Sequence, residues 1–270
     1  MTTATHAVWP RPGVPDLPRA HHVEVLHART VTPHMRRITL GGAGLADFVP
    51  LGGDQWFRLF LPPVDHAEPV LPVTAKWWPE VMAMPDATRP TVRNYTVRAA
   101  RPGEIDVDVV MHGDDEGPAA RWARLATPGD RVGIMDQGVT YDWPTTAAWQ
   151  LIVADEAALP AAAGILASIP ADTVARALIE LPHRDDAQNL GTLGVDTTVR
   201  WLPRPDGAKP GAAVLDTLYG ADLPAGEPYV FLAGESGMVK RVRRHLVHDR
   251  GVPTSTIRFI GYWRRGVSFR

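Results

Sequence analysis

The chain of 270 residues contains no cysteine. That absence excludes disulfides, a thiol nucleophile, thiolate zinc sites and a cysteine-ligated iron–sulfur cluster within this chain. No apolar run reaches the length of a membrane-spanning helix, so membrane insertion is not expected. Charge of one sign is also missing: 28 Lys and Arg stand against 30 Asp and Glu, a formal net charge of −2. Bulk electrostatics gives no reason to expect a nucleic-acid partner, and any basic site must be local. No G-x-G-x-x-G, P-loop or H-E-x-x-H occurs. GESGM (residues 234–238) approaches a nucleophile elbow, but Met238 stands where that elbow needs its second glycine. Residues 1–20 lack the basic-then-apolar layout of a secretion signal. They carry four prolines (Pro10, Pro12, Pro15 and Pro18) and read as a flexible arm. A cytoplasmic location is the default expectation.

What is present is an ordinary globular composition, 45% hydrophobic and 21% charged, in which disorder is not expected. HVEVLHARTV (22–31), HMRRITL (34–40) and DQWFRLFL (54–61) are short β-like runs separated by Gly- or Pro-containing breaks. After a proline-rich stretch over residues 62–90 come RNYTVR (93–98), EIDVDVVMH (104–112) and DRVGIM (130–135). In the second of these, Ile105, Val107 and Val109 alternate with Glu104, Asp106 and Asp108. That pattern predicts one wet face, and hence an antiparallel sheet or barrel. GPAARWARLATPGD (117–130) predicts a short helix that starts at Gly117-Pro118 and ends at Pro128-Gly129.

From about Trp149 the texture changes. WQLIVA, ARALIEL, VRWLP, YVFLAG and IRFIGYW are compact apolar runs, as expected of strands buried on both faces. PAAAGILASI, GAAVLDTLYG and GMVKRVRRHLVHDRG alternate with them as helices, which predicts a parallel, doubly wound α/β sheet. With the boundary in DWPTTAA (142–148), the expected organisation is an arm over 1–20, a β-barrel over 21–145 and a Rossmann-like α/β domain over 146–270. His245 and His248, spaced i,i+3 on the last helix, read as structural or surface histidines. KRVRR (240–244) is the densest charge run, and with Val239, Val242 and Leu246 turned to the sheet it reads as a solvated helix face.

RNYTVR places two arginines and a tyrosine in one short strand. Alternation turns Arg93 and Tyr95 one way, Asn94 and Thr96 the other. Arginine offers a planar fork for phosphate oxygens, and tyrosine a stacking face with a hydroxyl, a set suited to a dinucleotide with a flat ring system. Spacing alone fits a surface strand with solvated arginines equally well. GPAARWA supplies a companion: Gly117, Ala119 and Ala120 let backbone approach a ligand, and a helix N-terminus favours phosphate. Taken alone it is also an ordinary capped helix; the joint occurrence points to a ligand.

The order of these pieces, with ADEAALPA (154–161), LAGESGMVKRVRRHL (232–246) and GYWRRG (261–266), resembles the ferredoxin-reductase-like flavoproteins. More narrowly, residues 22–266 resemble the siderophore-interacting protein family of FAD-dependent ferric-siderophore reductases. The resemblance implies a Greek-key barrel for FAD followed by a domain for NADPH or NADH, with a ferric siderophore as substrate and iron released in the cytoplasm. It implies that Arg93 pairs the FAD pyrophosphate, Tyr95 packs on the flavin or ribityl chain, and Thr96 lies near the reactive ring edge, with Val97 alongside. His112 and the turn of Gly117, Pro118, Ala119 and Ala120 complete the cradle, and Trp122 anchors its helix. Asp155, Glu156, Gly234, Glu235 and Ser236 form the NAD(P)H mouth, at the strand ends where doubly wound sheets place ligands. Arg58, Arg264 and Arg265 become substrate contacts, and Arg184 a candidate for a 2′-phosphate. No catalytic side chain is implied, because the flavin carries the chemistry, and no protein metal site is needed. Two departures stand out: DQGV (136–139) replaces a Gly-Pro-Arg-Gly-like turn, and Ala157 stands where threonine is common. The first favours a flavin-dependent NAD(P)H reductase serving another acceptor. The second favours a siderophore-binding protein without hydride transfer.

Overall fold

The computed structural model describes residues 19–74, 76–111, 117–144 and 146–267. Most of the expected N-terminal arm, together with His112, lies outside the described residues. Seven strands build the first sheet: β1 (His21–Thr32), β2 (Met35–Gly41), β3 (Trp56–Leu61), β4 (Thr91–Thr96), β5 (Ala99–Arg101), β6 (Glu104–Val110) and β7 (Arg131–Asp136). They run in the order β4-β3-β7-β1-β2-β6-β5, each neighbouring pair antiparallel. The sheet rolls up on itself. Val97, just past β4, shares one core with Ile105 and Val107 of β6, and the Arg98 amide donates to the Asp106 carbonyl at 2.8 Å. Phe57, Leu59, Ile38, Leu40 and Ile134 fill that core, the inward-facing half of each alternating strand.

One expectation in this half needs correction. Asp106 and Asp108 of β6 are not on a wet face; they are 6% and 4% exposed. Arg37 of β2 clamps Asp108 with two bonds of 2.6 and 2.8 Å, and Arg101 clamps Asp106 at 2.8 and 3.0 Å, with the Thr39 hydroxyl adding a third bond. A two-residue period reports only that the faces differ; a charged face can still be buried where each charge is paired and hydrogen-bonded. The proline-rich stretch contains a helix, α1 (Trp77–Ala83), whose Pro79 falls in the first turn, where no intrahelical N–H bond is lost. Its Trp77 and Val81 cover Phe60 and Met135 on the barrel's outer face. α2 (Pro118–Leu125) occupies the expected place after β6.

The second half forms β8 (Trp149–Ala154), α3 (Leu159–Ser168), β9 (Ala175–Leu181), β10 (Thr197–Pro203), α4 (Ala212–Tyr219), β11 (Pro228–Glu235), α5 (Ser236–His248) and β12 (Ile257–Trp263). The sheet is parallel throughout, in the order β10-β9-β8-β11-β12. The chain starts in the middle at β8, winds outward through β9 and β10, then returns to β11 on the other side. The carboxyl ends of β8 and β11 therefore face one crevice, the place where such sheets receive ligands. Every residue of β8 and β11 is buried, between one cluster around Ile152, Leu159 and Phe231 and another around Leu151, Val230 and Val242.

The two sheets are tied together. Thr32 Oγ1, the His34 amide and the His34 ring all bond the Asp186 carboxylate, at 2.8, 2.9 and 2.7 Å. Met35 of β2 packs into the α/β core. A Cβ on Gly164 of α3 would lie 2.0 Å from the Gly53 carbonyl oxygen, so only glycine permits that approach.

Candidate functional site

A cleft of about 1180 Å³ lies between the two sheets. Its barrel side is β4. Because β4 is the edge strand, Arg93, Asn94, Tyr95 and Thr96 all line the cleft, although alternation turns them to opposite faces. Tyr95 leans on the barrel core, and burial pushes its phenol well above the ordinary range, Arg93 pulling only partly back. Tyr262 of β12 lies beside Thr96 across the interface, and burial raises that phenol as well. Both hydroxyls thus stay protonated at physiological pH. Val97 follows a different course: it is 8% exposed, turned into the barrel core, and its amide donates to the Gln55 carbonyl at 2.8 Å.

Next to β4 the cleft meets the start of α2. Gly117 is the N-cap, with no side-chain cap and, among the described residues, no atom within 4 Å of where its Cβ would be. Pro118 at the first position has no N–H to lose, and Ala119 and Ala120 follow with small side chains along the cleft. An uncapped helix start, open on the ligand side, offers backbone N–H groups and a positive dipole end to a phosphate. Trp122 packs back against the barrel core and holds the helix in place.

On the α/β side, Glu156 and Ala157 follow β8 and line the cleft. Asp155, Gly234, Glu235 and Ser236 lie beneath this floor instead of on its surface. Asp155 is wholly buried. Its Oδ2 accepts from the Glu235 amide at 2.7 Å and Trp263 Nε1 at 2.8 Å, and its Oδ1 accepts from the amides of Ala157 and Ala158 at 3.0 and 3.2 Å. Burial, then the neighbouring Glu156, pushes Asp155 up to about 7, against the pull of those donors. One carboxyl group therefore fastens the ends of β8, β11 and β12. Gly234 turns there at φ 138°, a region that favours glycine. Glu235 caps α5 by accepting from the Met238 amide at 2.7 Å, and the Ser236 hydroxyl donates to the Trp263 carbonyl at 2.9 Å.

Arg264 and Arg265 line the cleft after β12. Arg58 sits on the outer face of β3, outside the cleft lining, and Arg184 lies in a short turn (Arg184–Asp186) after β9, also outside it. Arg204, Tyr262, Trp263 and Trp56 line the cleft but were not singled out from sequence. Arg204 joins Glu156 at 2.8 Å and Glu180 at 2.7 Å. No local signal marks Arg204, since both partners are distant in the chain; Tyr262 and Trp263, by contrast, sit inside GYWRRG. Among the described residues no group of three or more His, Cys, Asp and Glu could hold a metal ion. His245 is buried and bonds Asp249 at 2.8 Å. The 240–244 run lies along α5, with Lys240 and Arg244 exposed and Arg243 over the Phe259 ring at 4.7 Å.

An edge-strand arginine and tyrosine, an uncapped helix start and a cleft of this volume fit FAD, with the α/β crevice beside it for a nicotinamide nucleotide. Two family profiles match the chain in succession: Siderophore-interacting FAD-binding domain over residues 24–141, and Siderophore-interacting protein over residues 147–266. A siderophore utilization protein from T. fusca of solved structure is 33% identical, with a TM-score of 0.80, covering 95% of this chain and 96% of that one. The chain belongs to the siderophore-interacting protein family. Other family relatives include ferric vibriobactin reductase ViuB of Vibrio cholerae, 26% identical over 90% of this chain and 89% of its own length. The NADPH-dependent ferric-chelate reductase of Escherichia coli is 28% identical over 91% and 93%. Family and relatives make this chain an FAD-dependent oxidoreductase. No described helix is long and apolar enough to cross a membrane.

Proposed function

We propose that the protein uses NADPH or NADH to reduce Fe(III) held by a siderophore, and that the resulting Fe(II) is released in the cytoplasm. The observation that carries this reading is the merging of two half-sites into one cleft. The β4 strand and the α2 start form one wall, and the carboxyl edge of the α/β sheet forms the other. FAD, when bound, supplies the conversion between a two-electron hydride donor and a one-electron metal acceptor. Arg93 and the α2 start hold its diphosphate, Tyr95 packs along it, and Thr96 with Tyr262 fixes the ring edge next to the α/β crevice. Glu156 and Ala157 border the nicotinamide nucleotide. Asp155 acts through the floor by fixing where β8, β11 and β12 end. Arg264 and Arg265 add positive charge at the mouth, which draws an anionic chelate toward the flavin.

The substrate brings its own hard oxygen ligands to iron, so the protein needs to attract the chelate and exclude water, not to coordinate metal. Steady-state turnover tests the assignment, with a ferric siderophore compared against a quinone and a dye acceptor and Fe(II) trapped by a chromogenic chelator. The reading expects ferric-chelate turnover with stoichiometric Fe(II). Quinone or dye turnover with no Fe(II) from any ferric chelate overturns it in favour of a reductase serving another acceptor.

A further inference from the structure

Of the two arginines in RNYTVR, the flavin cleft takes only Arg93. Arg98, between β4 and β5, lines a second cavity of about 250 Å³. The barrel contributes Thr32, Arg37 and Arg98 to its lining. The α/β domain contributes Ala187, Gln188 and Asn189, which follow the Arg184–Asp186 turn. Arg37 directs two N–H groups at Asp108. Arg98 Nε stands 3.6 Å from the same carboxylate, beyond hydrogen-bond range, and finds no acceptor among the described residues. Gln188 Nε2, on the opposite domain, is buried without an acceptor too. Asn189 accepts from the Gly191 amide through Oδ1 at 2.8 Å, which leaves its NH2 group as a donor. The other carboxylates close by are engaged: Asp106 by Arg101 and Thr39, and Asp186 by Thr32, His34 and the His183 amide.

Only 16% of the Arg98 side chain is exposed, and burial pulls its pKa down, with Asp108 restoring only part of the loss. A buried charge without a hydrogen-bonded partner is costly. Buried Nε atoms without an acceptor also occur at Arg36, Arg58 and Arg243; at Arg98 a cavity and a second orphaned donor, from the other domain, accompany it. The cavity has room for well over one water, each about 30 Å³ in the liquid. Water brings two donors with its acceptors, whereas an oxyanion brings acceptors alone, which is what donors converging from two domains require. We propose that this cavity binds a small oxyanion, a phosphate or a carboxylate, between Arg98 and Gln188, and that the bound anion ties the barrel to the α/β domain. It sits next to the Asp186 fastening and behind Asp108, which also lines the flavin cleft, so it supports the cleft wall from the rear. The site is independent of which acceptor the flavin serves.

Calorimetry of the FAD-loaded protein tests it, with inorganic phosphate and malonate titrated separately in a buffer that contains neither. The wild type is expected to bind at least one of them and to melt at a higher temperature when it does. Binding of phosphate alone assigns a phosphate group, and binding of malonate alone a carboxylate. Arg98→Gln and Gln188→Leu are each expected to weaken that binding by about tenfold or more, the size of a lost charge-assisted hydrogen bond, and to lose the rise in melting temperature. Gln188→Leu leaves Arg98 and Asp108 in place, so it tests the site even if Arg98→Gln folds poorly; the flavin absorption of each variant is the folding control. No binding of either anion at millimolar concentration overturns the proposal. So does binding that Gln188→Leu and a folded Arg98→Gln both retain at wild-type strength, which would put the anion elsewhere on the protein.

Discussion

At the scale of single residues, the strongest signal in the sequence was a strand with an unusual charge. Arg93, Tyr95 and Thr96 were legible because side-chain chemistry does not depend on the fold around it. Which face each takes did depend on the fold, since only an edge strand brings both faces to one cleft. Arg93→Ala is expected to weaken FAD retention by roughly 10- to 100-fold, from the loss of about 1.5–3 kcal/mol of charge-assisted hydrogen bonding. FAD content after gel filtration checks this, and unchanged content contradicts the cradle. Asp155 was expected at the nucleotide mouth and lies under it, because a buried carboxyl group that satisfies four N–H donors cannot be told from a ligand contact by spacing. Its pKa, raised to about 7, means that the folded state holds a proton the unfolded state has released between the ordinary carboxylate range and neutrality. Its contribution to stability therefore falls as pH rises across that window. Asp155→Asn, which stays neutral, is expected to carry a larger melting-temperature penalty at pH 5 than at pH 8. A penalty that grows with pH would contradict the assignment.

At the scale of elements, the α/β half was the more legible. Strands buried on both faces are marked by continuous apolar runs, and WQLIVA and ARALIEL match β8 and β9 at both ends; VRWLP and IRFIGYW fall on β10 and β12, but these are the edges of the sheet and largely exposed, so the expected burial on both faces does not hold for them. The barrel was legible in its strands but not in its accessories. α1 hid among prolines, and β5 is three residues long, too short for any period. The buried face of β6 was misread because its carboxylates are neutralised by arginines from β2 and from β5, contacts that no window of sequence contains. The turn from β11 into α5 shows how tightly the α/β floor is built. A Cβ on Gly234 would meet the Asp155 carboxyl at 2.5 Å and Met238 Cε at 2.6 Å, on backbone at positive φ. Gly234→Ala is expected to destabilise the protein by at least about 1–3 kcal/mol, read from urea unfolding. A neutral result would show that this turn is free to move.

At the scale of the whole molecule, the active cleft exists only while barrel and α/β sheet stay in register. Asp186 is a main fastening between them. Burial opposes its charge, but the Thr32 hydroxyl and the His34 amide and ring outweigh that and hold the carboxyl below its usual range. Its stabilisation is present above the ordinary carboxylate range and is lost as pH falls through the depressed value. Asp186→Ala is expected to cost about 2–3 kcal/mol and to loosen the cleft, which flavin fluorescence during urea unfolding would register as earlier release of FAD. Coincident, wild-type-like transitions would contradict this role. Such long-range fastenings join residues some 150 positions apart in the chain and leave no trace in local pattern, which is why the two domains could be read separately but not their union.

The central claim, that one cleft passes electrons from a nicotinamide nucleotide through FAD to chelated iron, is tested most directly by anaerobic spectroscopy of the FAD-loaded protein. The account predicts that NADPH or NADH bleaches the flavin absorption and that a ferric siderophore then restores it with the appearance of Fe(II). A flavin that neither nucleotide bleaches, or a bleached flavin that no ferric chelate restores, would contradict it.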